Sequence, residues 1–480
     1  MRGRLARSAA SGHTSHAASI VARGHGRRCS RGGPSRYHVP INGLPPRTAG
    51  RSGRRGRRRA PPPEGHRPVP SPAGLRRLSR GPARGPQRGR AAGRRGRRPR
   101  PGLARGRSPG AGARTPFPVL SAGKPLAAVA IAMLEDRGRL APDAPVASIL
   151  PGFEARGKGG ITVLDVLTHR AGVLLPDLVA RPEVWSDREA VLRALIEATP
   201  TFERGTFAYM PYEYGWILSE IVSRVDGRAL AEFVTDELSD PLGLPELRLG
   251  LAGRAADSLA WSYWLGRKKL VVGGVDVAAD FEARNNSVDQ IESLNPAVSL
   301  VTDGASLAAF YEFLVAGGVD RTGRRLISER TLKRYMGRSF VGWERSSRAF
   351  SAVGRGFIVG AGFPTIFGWW RTDGCFGHPG GLSCLAFGDH RTGLAAAILT
   401  NGNRSFFDLA RRFLPLAAGL RKACLRGRGD RTTPPRPASS SRGDSRAMTV
   451  CVRTPPQWPG GARMSRKIRG AYPSASTVTV

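Results

Sequence analysis

The chain has 480 residues, and its 76 Lys and Arg against 36 Asp and Glu give a formal net charge of +40. The charge lies at the two ends, because residues 1–115 contain 30 Arg and one acid while residues 421–480 contain 13 basic and two acidic residues. Residues 116–420 contain 33 residues of each sign, so the high isoelectric point does not by itself indicate a nucleic-acid-binding protein.

The terminal segments also differ from the middle in composition. Arg, Gly and Pro fill 66 of the first 115 positions, and such a segment buries too little apolar surface to offset the entropy lost on ordering. We expect disorder over residues 1–115 and 421–480, and one folded domain over residues 116–420. Three explanations of the first segment stay open: a disordered Arg/Gly arm, an arm that binds nucleic-acid phosphates, and a GC-rich gene read in a shifted frame. The absence of Lys beside 30 Arg favours the shifted frame.

Cysteine spacing argues against a cysteine-based metal site, and hydropathy argues against a signal peptide or a membrane-spanning helix. The cysteines show no CxxC pair and no metal-ligand spacing with His. Cys375 and Cys384 could pair in principle, but we expect them to be free buried thiols. The basic N-terminus is not followed by the apolar stretch of a signal peptide, and no run of about 18 apolar residues could span a membrane. The chain as written is expected to be cytoplasmic and not membrane-bound.

The predicted helices lie in the first two thirds of the middle segment. Residues 124–137 are apolar on almost every side, which is typical of a buried helix, and Pro125 fits because it falls in the first turn. A capping-box-like Thr162-Val-Leu-Asp165 starts a helix that should end near Gly172. Apolar stripes predict further helices over residues 214–225, 229–238, 306–315 and 328–336.

The pattern changes after residue 350. Apolar runs at residues 383–387 and 394–399 flank a polar turn, which predicts a β-hairpin. A closing helix is predicted from a cap at Ser405 to Leu420, with a kink at Pro415. Helices in the middle and strands late in the chain indicate an α+β fold with an antiparallel sheet.

A possible nucleophile stands at the start of the buried helix. In Ser121-Ala-Gly-Lys124, the i, i+3 spacing places both side chains on one helix face. The positive end of the helix favours an anion on the serine, and a partly desolvated lysine has a lowered pKa and can take the hydroxyl proton. On this motif alone, a capping serine beside a surface lysine is the simpler interpretation, because short motifs often occur by chance.

A possible proton shuttle lies in Tyr209-Met-Pro211, a loop that precedes a helix. A phenol hydrogen-bonded to an ammonium group can pass protons. The alternative is an aromatic residue that anchors the helix, and Tyr212 and Tyr214 are nearby competitors for either role.

A glycine-rich stretch, His378-Pro-Gly380-Gly381, precedes the predicted hairpin. Glycines at a strand allow a ligand to approach the backbone, and a backbone N–H there can form half of an oxyanion hole. The alternative for His378 is a structural turn histidine. For His169, in Thr168-His-Arg-Ala-Gly172, packing or structural hydrogen bonding is expected.

In their order and spacing, these motifs resemble those of the serine β-lactamase-related hydrolases, which include penicillin-binding-protein-like and class C β-lactamase-like esterases and amidases. The resemblance covers residues 117–420. Its six matches are Ser121-Ala-Gly-Lys124 for SxxK, residues 138–146 for GxLxLDDPV, residues 161–172 for ITVRHLLTHTSG, Tyr209-Met-Pro211 for YxN, Pro241-Leu-Gly243 for PLG, and His378-Pro-Gly380 for KTG or HxG.

The resemblance implies a β-lactamase/transpeptidase-like α+β fold, with an antiparallel sheet flanked by helices and a helical subdomain. It implies that Ser121 forms an acyl-enzyme, that Lys124 and Tyr209 share the proton transfers, and that N–H groups of Ser121 and Gly381 bind the oxyanion. The implied site residues are Ser121, Lys124 and Tyr209 for catalysis, and His378, Gly380 and Gly381 for the substrate and oxyanion. No metal or organic cofactor is implied.

Two departures from the family pattern matter. Pro211 stands where the family has Asn or Ser, so a side-chain hydrogen bond to the substrate amide and to Lys124 is expected to be missing. Residues 60–116 contain no alternating apolar segment, so the N-terminal strands that precede SxxK in the family are expected to be absent, which would expose a sheet edge.

The sequence therefore predicts a serine hydrolase acting on a small-molecule ester or amide. Esters are expected in preference to β-lactams, because Pro379 has neither a hydroxyl nor an N–H. The alternatives are an Arg/Gly-rich nucleic-acid-binding protein and an inactive relic, each carrying a non-catalytic hydrolase-like domain. Nucleic acid is the less expected partner, because the basic excess does not extend onto residues 116–420.

Overall fold

The computed structural model describes residues 18–19, 22–23, 114–266, 271–272, 275–403, 409–426 and 449–453. All of them belong to one compact unit formed by residues 1–31 and 106–480. The helices are α1 (Lys124–Asp136), α2 (Val163–Leu167), α3 (Pro176–Val179), α4 (Arg188–Glu197), α5 (Glu213–Asp226), α6 (Leu230–Val234), α7 (Val277–Asn285), α8 (Val288–Glu292), α9 (Gly304–Val315), α10 (Glu329–Met336) and α11 (Leu414–Arg426). The strands are β1 (Ala18–Ser19), β2 (Ala22–Arg23), β3 (Phe117–Pro118), β4 (Arg248–Leu249), β5 (Tyr263–Trp264), β6 (Val271–Val272), β7 (Val275–Asp276), β8 (Leu300–Thr302), β9 (Phe340–Trp343), β10 (Phe350–Val353), β11 (Ile358–Val359), β12 (Cys375–Gly380), β13 (Cys384–Asp389), β14 (Leu394–Thr400), β15 (Gly402–Asn403) and β16 (Thr449–Arg453).

Helix α1 is the buried helix that the sequence predicts. Every residue from 124 to 134 is buried, because α5, α6 and α10 pack around it and the end of β12 contacts it. Pro125 lies in the first turn, where its missing N–H has no intrahelical partner to lose.

Local signals place most helix ends correctly. Gly227 adopts a φ of +93° and ends α5, and the Ser328 hydroxyl accepts a hydrogen bond from the N–H of Thr331 at the start of α10. Thr162 forms the predicted capping box with Asp165. The predicted end of this helix near residue 172 is wrong: α2 ends at Leu167, because the chain turns into a left-handed conformation at position 169.

The main sheet confirms the predicted antiparallel hairpin. Its strand order is β2-β16-β14-β13-β12-β11-β10-β9, with β1 also paired to β14, and every pairing except β16 with β2 is antiparallel. The predicted hairpin is β13–β14, in register with Ala386 opposite Ala397. In the neighbouring pair, His378 lies opposite Ala386 and Gly380 opposite Cys384.

On the side of β14 away from β13, short strands from the N- and C-terminal parts of the chain pair with it. Strand β16 pairs with β14 over five residues, and β1 pairs with its last two. These strands, with β2, and the last six residues of α11 (421–426) fall within the segments for which we expected disorder. Except for residues 114 and 115, the rest of those segments lies outside the described residues, so that prediction stays open there. No described strand comes from residues 60–116.

The two faces of the sheet have separate cores. Side chains at alternate positions of β13 and β14, including Ala386 and Leu399, join the core around α1 and α9, while Leu385 and Ile398 pack with α11 on the other face. Cys375 and Cys384 are buried free thiols, as predicted, and belong to different cores.

The closing helix differs from its prediction. Ser405 lies outside the described residues, and a π-helical turn over 409–413 precedes α11. The change from π-helix to α-helix falls between Phe413 and Leu414, directly before Pro415, and the predicted kink at Pro415 stays a prediction.

Candidate active site

Ser121 lies on a 3₁₀ turn, Leu120–Gly123, that leads directly into α1. Leu120 is buried with a left-handed φ of +46°, an unfavourable conformation that surrounding packing must maintain. Gly123 has no room for a side chain, because a Cβ atom would overlap the Pro296 carbonyl and lie 2.9 Å from Cβ of Leu300. The turn is therefore held against the segment that leads into β8.

Lys124 is fully buried and points at the nucleophile. Its Nζ donates to Ser121 Oγ at 3.0 Å and to the carbonyl oxygen of Pro211 at 2.7 Å. Burial lowers the pKa of Lys124 from 10.5 to about 7, against an opposing effect of the Glu213 carboxylate. A lysine with this pKa is neutral in a large fraction of molecules at neutral pH and can accept the serine proton.

Tyr209 completes this group. Its ring centroid lies 4.9 Å from Nζ of Lys124, and Ser121 lies near enough to its hydroxyl to offset part of the effect of burial on the pKa of the phenol. Burial raises the pKa of Tyr209 well above its usual value. The phenol is therefore protonated at neutral pH and able to donate. Tyr214, a competitor in the sequence, instead directs its hydroxyl at the carbonyl of Lys124 at 3.4 Å.

As expected, the side chain at position 211 makes no hydrogen bond to Lys124, but the main chain at this position does. Pro211 has no side-chain donor or acceptor, yet its main-chain carbonyl accepts the hydrogen bond from Lys124. A proline is compatible with this contact because it lacks only the backbone N–H and keeps its carbonyl.

The end of β12 lies against the turn that carries Ser121. A Cβ atom on Gly380 would overlap the carbonyl of Val119, and one on Gly381 would overlap the side chain of Leu120. Gly381 also has a left-handed φ of +48°, and its carbonyl accepts from Nδ2 of Asn285 at 2.9 Å. Glycine at both positions therefore permits the close contact between strand and turn.

His378 is buried in the same strand, with its ring centroid 6.2 Å from that of Tyr209. Burial lowers its pKa to about 3, and the Lys124 charge adds to this, so the imidazole is neutral at pH 7. Nδ1 lies 2.6 Å from the Pro379 carbonyl, which can only accept, so Nδ1 carries the proton. Nε2 is then an acceptor, and it has no partner in the described part of the chain.

Three buried polar residues beside the site were not predicted as functional: His169, Glu213 and Glu344. Glu213 accepts from the backbone N–H groups of Leu175 and Tyr212, and burial raises its pKa. His169 stood in a recognised motif, but nothing local indicated its partner. Glu344 is 135 residues from the backbone N–H that it binds, and no local pattern marks it.

Within the described residues, no group of three or more His, Cys, Asp or Glu side chains could hold a metal ion. Among the described helices, none is long and apolar enough to cross a membrane.

Comparison with known proteins places this chain in a family. The model of the family described as Beta-lactamase matches residues 91–419. The esterase/beta-lactamase LipL of Mycobacterium tuberculosis is 35% identical over 127 residues, which cover 26% of this chain and 29% of that protein. The chain spans about a third of the length of the curated relatives it matches.

Solved structures share the fold. A penicillin-binding protein homologue from Caulobacter crescentus is 27% identical with a TM-score of 0.51, over 60% of this chain and 78% of that one. EstA from Arthrobacter nitroguajacolicus Rue61a is 22% identical with a TM-score of 0.55, over 65% and 86%. With a family match over more than half of its length, the chain belongs to the Beta-lactamase family.

Proposed function

We propose that the protein is a serine hydrolase that cleaves esters or small amides through an acyl-enzyme on Ser121. The observation that carries the proposal is the contact of 3.0 Å between Nζ of Lys124 and Oγ of Ser121, made by a lysine whose pKa burial lowers to about 7. A buried base of this kind is the usual way to activate a serine, which is a weak nucleophile at its ordinary pKa. The relatives named as esterases support the same class of reaction.

The first half-reaction follows from the positions of three side chains. Neutral Lys124 takes the hydroxyl proton as Ser121 Oγ forms a bond to the substrate carbonyl carbon. Backbone N–H groups of Ser121 and Gly381 stabilise the oxyanion, a contribution of about 10²-fold or more. When the tetrahedral intermediate collapses, the bond to the leaving group breaks, Tyr209 protonates that group, and Lys124 returns a proton to Tyr209.

Water completes the cycle by the same route. A water molecule gives a proton to Lys124, directly or through Tyr209, as its oxygen attacks the acyl carbon. The bond to Oγ then breaks, Ser121 recovers its proton, and the carboxylic acid leaves. These steps use no group beyond Ser121, Lys124, Tyr209 and the two backbone donors.

The residues expected to contact the substrate, His378, Pro379 and Pro211, favour a small ester over a β-lactam. Neutral His378 supplies no positive charge for a carboxylate, Pro379 supplies no hydroxyl, and Pro211 supplies no side-chain amide. Three missing contacts at about 1–1.5 kcal/mol each would weaken a β-lactam by about 10²–10³-fold. Nothing in the described residues favours the alternatives of a nucleic-acid-binding protein or an inactive relic.

Covalent labelling tests the proposal. The full chain is incubated with a fluorophosphonate probe, and the adduct is located by mass spectrometry. We expect the adduct on Ser121, none in Ser121→Ala, and a rate lowered by several orders of magnitude in Lys124→Ala. Ser328→Ala, which removes the capping serine of α10, is the matched control and should label normally. Labelling of folded Ser121→Ala at the wild-type rate would exclude the proposed nucleophile.

A further inference from the structure

The segment that carries Tyr209 has no regular secondary structure, yet three successive backbone N–H groups in it are bonded to only two residues. Ala208 donates to the carbonyl of His169 at 3.0 Å, and Met210 donates to Nδ1 of the same residue at 3.2 Å. Between them, the N–H of Tyr209 donates to Oε1 of Glu344 at 2.8 Å. The backbone around Tyr209 is therefore held by two side chains and one main-chain carbonyl, all from residues distant in sequence.

Glu344 joins this segment to the hairpin of β9 and β10. Its carboxylate is buried and also accepts from the backbone N–H groups of Ser346 and Ser347 and from the Ser347 hydroxyl. Burial alone would raise the pKa of Glu344, but the bonds from Ser347, Tyr209 and Ser346 bring it below its usual value, so the group is ionised at neutral pH. A hydrogen bond from the N–H of Arg345 to the Phe207 carbonyl, at 3.0 Å, adds a second connection.

His169 holds the other side of the segment. Its ring is buried and lies against those of Tyr209 and Tyr214, with centroids 4.7 and 5.1 Å away. Burial, with the nearby Lys124 charge, lowers its pKa well below the usual value, so the neutral ring accepts at Nδ1. Its left-handed φ of +56° is unfavourable for a residue of this size and aims both acceptors at the segment.

We propose that Glu344 and His169 are positioning residues that fix the Tyr209 hydroxyl beside Ser121 and Lys124. This inference rests on the proposed function, because it concerns the speed of the proton transfers at Ser121. The two residues act through the backbone of the Tyr209 segment. A misplacement of about 1 Å in a reacting group can lower a rate by about 10²-fold, so loss of either anchor should slow acylation.

The rate of fluorophosphonate labelling of the full chain measures this effect. Glu344→Ala should label about 10–100-fold more slowly, whereas Glu344→Gln, which keeps an acceptor for the Tyr209 N–H, should stay within a few-fold of wild type. Asp320→Ala is the matched control: Asp320 is a mostly buried turn carboxylate that accepts from the Thr322 and Arg324 N–H groups away from the site. It should label at the wild-type rate.

Two substitutions of His169 distinguish the role of its hydrogen-bond acceptor from the role of its aromatic ring. His169→Asn keeps an oxygen near the position of Nδ1 and tolerates a left-handed φ, so it should label at close to the wild-type rate. His169→Phe keeps a ring but has no acceptor, and it should label at least 10-fold more slowly. The opposite order would overturn the role of Nδ1.

A double-mutant cycle with Tyr209→Phe distinguishes positioning from general structural damage. If Glu344 acts through the phenol, Glu344→Ala should slow labelling by less than about threefold once the hydroxyl is gone. An equal factor in both backgrounds would overturn the proposal, and the same cycle with His169→Phe in place of Glu344→Ala gives the test if Glu344→Ala does not fold. Absence of labelling in the wild type would instead reject the proposed function, so the two failures are distinct.

Discussion

Nζ of Lys124 lies 3.0 Å from Oγ of Ser121, and the structure leaves no part of the lysine side chain exposed to solvent. The distance is that of a hydrogen bond, and the burial changes the chemistry of the amine. In water the lysine would be an ammonium ion, which cannot take a proton. The same buried amine makes the reaction rate and the folding stability depend on pH in predictable ways.

The labelling rate should rise with pH through about 7. Burial lowers the pKa of Lys124 to about 7, and only the neutral amine accepts the proton of Ser121. At one pH unit below that pKa about a tenth of the molecules are active, and above about pH 8 the rate should level off. Rates with an uncharged fluorophosphonate between pH 5.5 and 9.5 test this. A rate that first rises near pH 10, the range of an ordinary lysine, would contradict it.

The same buried amine should cost stability. Its pKa is 10.5 in the unfolded chain and about 7 in the folded one, so between these values the unfolded state binds more protons and stability increases with pH. Lys124→Met removes this cost, which at about 1.4 kcal/mol per pKa unit exceeds the two hydrogen bonds lost. We expect the variant to be inactive but more stable at pH 7 by about 2 kcal/mol.

Urea unfolding at pH 7 and at pH 9.5 measures that difference. The stabilisation of Lys124→Met relative to wild type should shrink at the higher pH, because the wild-type cost is largely relieved there. A variant that is less stable than wild type at both pH values would show that the lysine contributes net stability.

Substrate preference should follow the missing polar contacts. A short-chain p-nitrophenyl ester should have a kcat/KM about 10²–10³-fold above that of nitrocefin, because His378 is neutral and Pro379 and Pro211 lack polar side-chain groups. Pro211→Asn, which keeps the backbone carbonyl bonded to Lys124, should narrow this ratio by up to about tenfold. Equal or faster turnover of nitrocefin by the wild type would contradict the preference for esters.

Folding stability should depend strongly on a buried ion pair that joins α11 to the end of β13. Nε of Arg421 donates to Oδ2 of Asp389 at 2.8 Å, and the side chains are 7% and 0% exposed. Arg421→Met leaves a buried carboxylate without its partner and should lower the free energy of unfolding by about 3–5 kcal/mol. Arg391→Met, which breaks an exposed pair with Asp373, should cost less than about 1 kcal/mol. Equal losses in urea unfolding would show that burial does not set the difference.

Local sequence was sufficient for several parts of the fold and for the motif at its centre. The apolar residues around α1 predict burial, the Thr162 box and Gly227 predict helix ends, and two short apolar runs predict β13 and β14. Each of these signals depends on contacts within one turn or one hairpin, so the residues that determine the structure are neighbours in the chain. The pairing of Ser121 with Lys124 is of the same kind, since helical geometry brings residues three positions apart onto one face.

Tertiary structure decided what surrounds that pair. Tyr209 lies beside Ser121 although 88 positions separate them in the chain, and the Pro211 carbonyl binds Lys124 where the family pattern has a side chain. Glu344 binds the Tyr209 backbone from a hairpin, and β16 pairs with β14 from the far end of the chain. Such contacts depend on which surfaces are buried together when the whole domain folds, and the period of a local pattern carries no information about a partner so distant in sequence.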